Sequence, residues 1–413
     1  MEKVLEKDVS EFSKIVTWLL VLSPIIRNYG WGRYDFSFIA TVVLAVVYLM
    51  KYGFRNRMPG MLALYLVYCY VSVIINATSA SSLVELSIPK VFLSYMMFFD
   101  VVNMKYLIKV LKTTSIIFVI FFFFQEISYY VTGRRISGML TFLPLNIGLT
   151  GSDIGNYYSK LVVAERSASF FSEPSHFAQY VLIALCLELY YDKSKKHLLY
   201  SLLLLGALVL SQTGTAILGL LVVFVFYLIP YIQRKSFQSK IIAIFFIIVS
   251  VAGVAYFTTT SMGQKMMERS EQLSATDHGT ALSGFRRIYR GYFVFAEYTP
   301  IEAITGIYNG DKVEDKIRQT KVADTFVSEN DQYFNMIHNI LLRTGFIGAI
   351  ICILFVIRLW KDNSFPGHAI LAVFVSLCFI ESLYFKELTA LYLVLVYKMQ
   401  LDNIKSQYRE IRK

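Results

Sequence analysis

The sequence predicts an all-α, polytopic membrane protein with about twelve transmembrane helices and long loops on one side. Three observations lead there. The 413 residues are 56% hydrophobic and only 17% charged, where ordinary soluble domains carry about a quarter. The 33 Phe and 29 Tyr are an aromatic load foreign to disordered, collagenous or coiled-coil chains. Apolar runs approaching the length of a membrane span recur along the chain, each bounded by charge, Gly or Pro. Twelve spans of about 20 residues would take about 240, leaving loops but no separate soluble enzyme domain. Residues 1–413 therefore read as a single integral membrane domain.

In order, the runs lie at about 15–27, 36–52, 59–76, 83–101, 106–127, 175–191, 197–211, 214–233, 240–258, 336–358, 366–383 and 388–400. The first follows a mixed acidic and basic start without a small-residue cleavage site, so it reads as a helix and not as a signal peptide. Cation density sets the sidedness. With both termini inside, the inner segments hold 22 Lys and Arg in 73 residues, and the outer ones 16 in about 150. Two long loops, 128–174 and 259–333, fall outside, and their aromatic and amphipathic content predicts that they are ordered over an outward cavity. The net charge of +11 then belongs to inner loops; no basic soluble module exists to hold nucleic acid. All four cysteines sit in apolar runs, without disulfide or zinc spacing. No Gly-rich phosphate loop is present, which argues against ATP-driven transport.

Four stretches could carry chemistry. From Glu165 to Ala178, Arg166, Glu173 and His176 gather at an outer helix start, with Ser172 as the expected N-cap and Pro174 in the first turn. Ionisable groups at a membrane boundary mark a site unless they are paired or wet. From Phe285 to Tyr292, helical spacing would put at least two of Arg286, Arg287 and Arg290 on one face, and Arg suits a bidentate grip on phosphate oxygens. An exposed basic face is the plainer reading of the same residues. From Ile337 to Gly348, His338 lies one turn into a span beside Asn339, where a neutral imidazole could accept a hydroxyl proton. Gly345 and Gly348 there permit close helix packing. The turn from Leu210 to Ala216 is either a plain hairpin or part of a site lining. The Asp311/Asp315 spacing does not suit a metal-dependent sugar-nucleotide site, and only His176, His278 and His338 are expected outside, so no metal or other cofactor is expected.

Together these stretches resemble the bacterial O-antigen and capsule repeat-unit polymerases of the Wzy type, in the superfamily shared with O-antigen ligases. The resemblance rests on Arg166 and the following FFSEPSHFAQY, the SQTGTA turn, the Arg-rich loop with Thr305-Gly306, and the His338-Asn339 segment through Gly348. It covers about 160 to 350, and departs at Arg343, where many relatives carry an uncharged or acidic residue. It implies a fold like the C-type membrane glycosyltransferases, in a bacterial cytoplasmic (inner) membrane. The implied reaction transfers a growing glycan from undecaprenyl diphosphate to a lipid-linked repeat unit at the outer face, without metal. The resemblance makes His338 the general base, Arg166, Arg287 and Arg290 contacts to the diphosphate or sugar, and Glu173, His176, Arg286 and Asn339 substrate-binding groups. A flippase and a chain-length regulator are the implied membrane partners. O-antigen ligase is the alternative, opposed by the EPS-like segment where ligases tend to have Asn-Pro. A transporter is disfavoured, because no paired halves or charges deep in spans are found.

Overall fold

The computed structural model describes residues 9–31, 34–53, 60–76, 92, 100–140, 142–146, 166–191, 197–233, 264, 287–323, 326 and 333–411. The span expected at 240–258, nearly all of that at 83–101, and Arg286 lie outside the described residues.

The described residues are mainly helical, with one small hairpin among them. Helix α1 (Glu11–Ile26) starts where the Ser10 hydroxyl accepts from the Ser13 amide at 3.2 Å, the N-cap bond that a short polar side chain supplies. Strands β1 (Gly30–Trp31) and β2 (Tyr34–Asp35) pair antiparallel, and Asp35 then caps α2 (Phe36–Tyr52) through the Phe38 amide at 2.6 Å. The start of the loop expected at 128–174 folds onto this hairpin, with the Gly30 amide donating to the Pro144 carbonyl at 2.9 Å. Helices α3 (Gly60–Asn76) and α4 (Met104–Thr132) follow. The latter runs past the expected end at 127, because its tail has no breaker before Gly133.

The centre of the molecule is α5 (Pro174–Tyr190). It is apolar on every side and is buried without interruption from Phe177 to Glu188, as a helix with no polar face must be. Around it pack α4, α6 (His197–Leu210), α7 (Gly214–Gln233), α12 (Phe365–Cys378) and α13 (Glu387–Ile411). Phe177 stacks on Phe122 of α4 with centroids 4.8 Å apart. Far from the N-terminus of α5, Glu188 pairs with Lys112 at 2.7 Å, which offsets the desolvation of both.

Three short helices follow: α8 (Arg290–Ala296), α9 (Pro300–Thr305) and α10 (Gly310–Gln319). They form a small second core around Val294, Tyr298, Ile307 and Ile317, laid against α11 (Met336–Trp360). Helix α11 is broken at Gly345, where φ is +58°. The sequence reading took this glycine as a packing device. It is both that and a break, because a left-handed residue cannot continue the helix. Carbonyls freed by the break find other donors: Leu342 accepts from the Ile307 amide at 2.7 Å and Arg343 from the Ser72 hydroxyl at 3.2 Å.

Ten of the expected runs coincide with helices. Among the described residues, α4, α7 and α11 are long and apolar enough to cross a membrane by themselves, and four shorter apolar helices accompany them. This is the architecture of a membrane protein.

Candidate functional site

The N-terminal ends of α5, α7, α11 and α13 meet around one carboxylate, Glu381, in the connection between α12 and α13. It is buried, and four residues from three separate segments hold it. The Arg287 guanidinium lies 3.0 Å from Oε1, the Thr215 hydroxyl donates to the same oxygen, and the Tyr333 hydroxyl donates to Oε2 at 3.2 Å. The Glu381 carbonyl accepts from the Met336 amide at 2.9 Å, fixing the start of α11. A buried carboxylate without such partners would cost several kcal/mol, so the arrangement is over-determined by design of the sequence.

Arg287 faces two acids, Glu381 and Glu173. It stacks 5.0 Å from the Tyr333 ring, and its carbonyl accepts from Asn335 Nδ2 at 2.7 Å. Burial opposes its charge, but Glu381, Tyr333 and Glu173 raise its pKa above the ordinary value. Glu173 sits at the N-cap of α5, where the sequence reading expected Ser172. Pro174 fills the first helical position, and Ser172 instead turns to the His176 Nδ1 at 3.2 Å. Glu173 makes no cap bond with its side chain; it accepts from the Ser175 hydroxyl at 3.1 Å. Burial works against its ionisation, and His176, Arg287, Ser175 and Lys386 outweigh it, so the carboxyl titrates below its usual range. Lys386 closes the cluster. Burial and the nearby Arg27 push it down to about 8, against the pull of Glu387, Glu381 and Glu173. Arg27 is itself bound to Glu387 at 2.7 Å.

The segment before Glu173 is pinned from below. Ser169 has φ +54°, and its amide and hydroxyl are taken by Gln125 Oε1 and the Phe118 carbonyl, each at 2.8 Å. Phe170 stacks on Phe121 at 4.4 Å. These anchors explain the aromatic pair in the sequence. Arg166 stands half-buried just ahead of them.

The remaining candidates gather one layer away, around His338. Its ring is wholly buried, 3.1 Å from the Ile288 carbonyl through Nε2. A carbonyl only accepts, so Nε2 carries the proton and Nδ1 keeps a lone pair. Nδ1 has no hydrogen-bond partner among the described residues and lies against Gly291, where an added Cβ would come within 2.5 Å of it. The Tyr292 ring covers the imidazole edge-on at 4.5 Å. Arg290 is also wholly buried, donating to the Tyr333 carbonyl at 3.0 Å above the Phe326 ring. Asn339 donates to the Phe334 and Asn335 carbonyls and accepts from Arg343 Nε at 3.3 Å. Arg343, the departure noted in the sequence, is thereby held over the Tyr308 and Tyr384 rings.

The structure therefore brings Glu173, His176 and Arg287 to one mouth, and groups His338, Arg290 and Asn339 beside it. Sequence reasoning missed Glu381, Tyr333 and Lys386. One signal for the first was available: Glu381 is the acidic residue inside the apolar run 366–383, and such a residue is a site hypothesis by default. An apolar cavity of about 490 Å³ is lined by residues of α3, α11, α12 and α13, among them Met336 and Cys378, and by Tyr384.

Residues 199–353 match the family Wzy_C, described as O-Antigen ligase. The match spans α6 to α11 and takes in Thr215, Arg287, Arg290 and His338, with Glu173 and Glu381 on either side of it. It is consistent with the O-antigen polymerase/ligase superfamily that the motifs resemble. No curated protein and no solved structure matches the chain.

Proposed function

We propose that this chain, with an O-antigen ligase domain over residues 199–353, is a repeat-unit polymerase of the cytoplasmic membrane with both termini inside. Its substrates are glycans on undecaprenyl diphosphate, presented at the outer face. The growing chain leaves its carrier as the bond from the anomeric carbon to the diphosphate oxygen breaks. A new bond forms to a hydroxyl of the acceptor repeat, and that hydroxyl's proton goes to a base. No nucleotide or metal is required, since the donor bond is already activated. A flippase supplying the repeat and a chain-length regulator are the partners this reaction needs.

The observation that carries the reading is Arg287 at the mouth, held by Glu381 and Tyr333 so that its planar fork is pre-oriented. Preorganised positive charge at a developing diphosphate is the effect usually worth most in such a transfer. Arg166 contacts the diphosphate or sugar, Glu173 and His176 position the acceptor, and Asn339 supports them; Arg290 braces the Tyr333 segment. His338 is the base, with the free Nδ1 lone pair as its acceptor, and the Tyr292 ring must swing aside to admit the hydroxyl. The alternative, ligase chemistry, is favoured by the description of the matching family. A deletion strain separates the two by its glycan ladder. Loss of a polymerase leaves a single repeat attached, loss of a ligase leaves none, and an unchanged ladder would overturn both.

A further inference from the structure

Helix α9 has two faces. On one, Thr299 and Glu302 form a reciprocal cap, and Glu302 pairs with Lys316 of α10 at 2.9 Å. On the other, Ile301 is 74% exposed and Ile304, one turn on, is 49% exposed. Large aliphatic side chains bared side by side mark an interaction surface. The face does not stand alone. A Cβ on Gly345 would lie 2.5 Å from the Ile304 carbonyl, so α9 is in backbone contact with α11 at its break.

That break is also where the surface of α11 changes. From Met336 to Gly345 every residue is buried or half-buried, covered by α3, α8 and α9. From Phe346 onward α11 bares an apolar stripe: Phe346, Ile350, Ile353 and Ile357 are each at least half exposed. The eleven steps from Phe346 to Ile357 rise about 17 Å, whereas the hydrocarbon core is about 30 Å thick. The stripe alone is thus short by about 13 Å on the outer side. A helix lying across its upper end, about 10 Å in diameter with its side chains, makes up most of the difference.

We infer that α9, although part of the loop 259–333 expected outside the membrane, lies in the outer leaflet, with Ile301 and Ile304 among the acyl chains as a continuation of the exposed apolar stripe of α11. Its Glu302 side, tied to the strongly polar α10, faces the headgroups and water. This is the two-sided partition of an interfacial helix, whose apolar face sinks roughly 5–10 Å into the acyl boundary. The occupant is lipid and not a second protein because the face adjoins the exposed apolar stripe of α11, a helix long and apolar enough to cross a membrane. The inference does not depend on which sugar transfer the protein performs.

The test uses the wild-type protein in native membranes, so no variant has to fold. One portion is photolabelled with an apolar carbene probe dissolved in the acyl region, the other with a water-soluble carbene probe, and sites are mapped by mass spectrometry. Ile301 and Ile304 should show an apolar-to-aqueous labelling ratio on the order of tenfold or more, as at Ile350 and Ile353, with the reverse at Asp315. Aqueous labelling of Ile301 and Ile304 would overturn the inference, since the face would be wet. Protection from both probes would overturn it too, by showing that a protein covers the face. Failure of the apolar probe at Ile350 and Ile353 as well would remove the span itself and the inference with it.

Discussion

The mouth around Glu381 and the pocket around His338 are built from neighbouring residues of the same few segments, yet they handle polar groups oppositely. At the mouth, Arg287, Glu173, Glu381 and Lys386 are charges facing charges, with Arg287 a quarter exposed. In the pocket, Arg290 and His338 are sealed, and their bonds go to backbone carbonyls of Tyr333 and Ile288. The two arginines stand three positions apart. One guanidinium is displayed and the other is used to hold the display in place. Residue type and helical spacing suggest equal roles, and it is burial that divides them.

The sharpest way to break this division is at Arg287. Replacement by Ala should lower chain extension by about two to three orders of magnitude, as loss of a charge-stabilising donor does. Lys should restore only part, because it keeps the charge and loses the fork. The glycan ladder at matched protein level reads both, and full-length polymer from either variant would make the mouth a solvated ion pair. Next comes His338→Gln, which keeps size and one hydrogen bond but offers no useful base. If the pocket is catalytic, polymer is lost while the protein stays inserted and its Tm unchanged. A purely structural pocket gives the reverse, lost stability with activity in proportion to surviving protein.

Two further changes should affect stability more than chemistry. Arg290→Met removes a buried charge-assisted bond and should destabilise by about 1.5–3 kcal/mol, read as a fall in Tm with activity per folded molecule largely kept. Gly291→Ala places a methyl against the imidazole and should cost about 1–3 kcal/mol by overpacking. A loss of activity in Arg290→Met as deep as in Arg287→Ala, at unchanged Tm, would erase the distinction between the two arginines.

The smallest effect concerns Lys386, and its sign is unusual. Its pKa is lowered on folding to about 8, so between about pH 8 and 10 the folded chain holds fewer protons than the unfolded one. Stability therefore rises with pH across that window. Over the same window the mouth, which also contains Arg27, Arg287, Glu173, Glu381 and Glu387, loses a positive charge, so KM for the anionic lipid donor should rise. Tm and KM measured at pH 7 and pH 9 should both increase in the wild type, and neither trend should appear in Lys386→Met.

Much of the helical layout was legible because apolar runs bounded by charge and turn residues leave little choice of element. The extent of the helices was less so, since α4 and α13 continue through polar residues that merely tolerate a helix. At the site, the motif residues were visible and their partners were not. Arg287 could be picked out by type, but Tyr333 and Glu381, 46 and 94 positions on, join it only through tertiary packing. The N-cap moved from Ser172 to Glu173 because Pro174 occupies the first helical position. The meaning of Gly345 was hidden too, since packing against a partner helix and breaking its own look alike in a single sequence.

That break has a consequence for how the protein is made. Hydrocarbon supplies no water to a carbonyl released from a helix, so each must find a donor within the protein. The carbonyl of Arg343 finds it on Ser72, 271 residues earlier in the chain, and that of Leu342 on Ile307 and Tyr298. The upper third of α11 thus cannot be completed as a local event during insertion. It must await the return of α3 and the docking of the α8–α10 segment, which makes this corner of the molecule among the last to mature and the first to suffer when synthesis outpaces assembly.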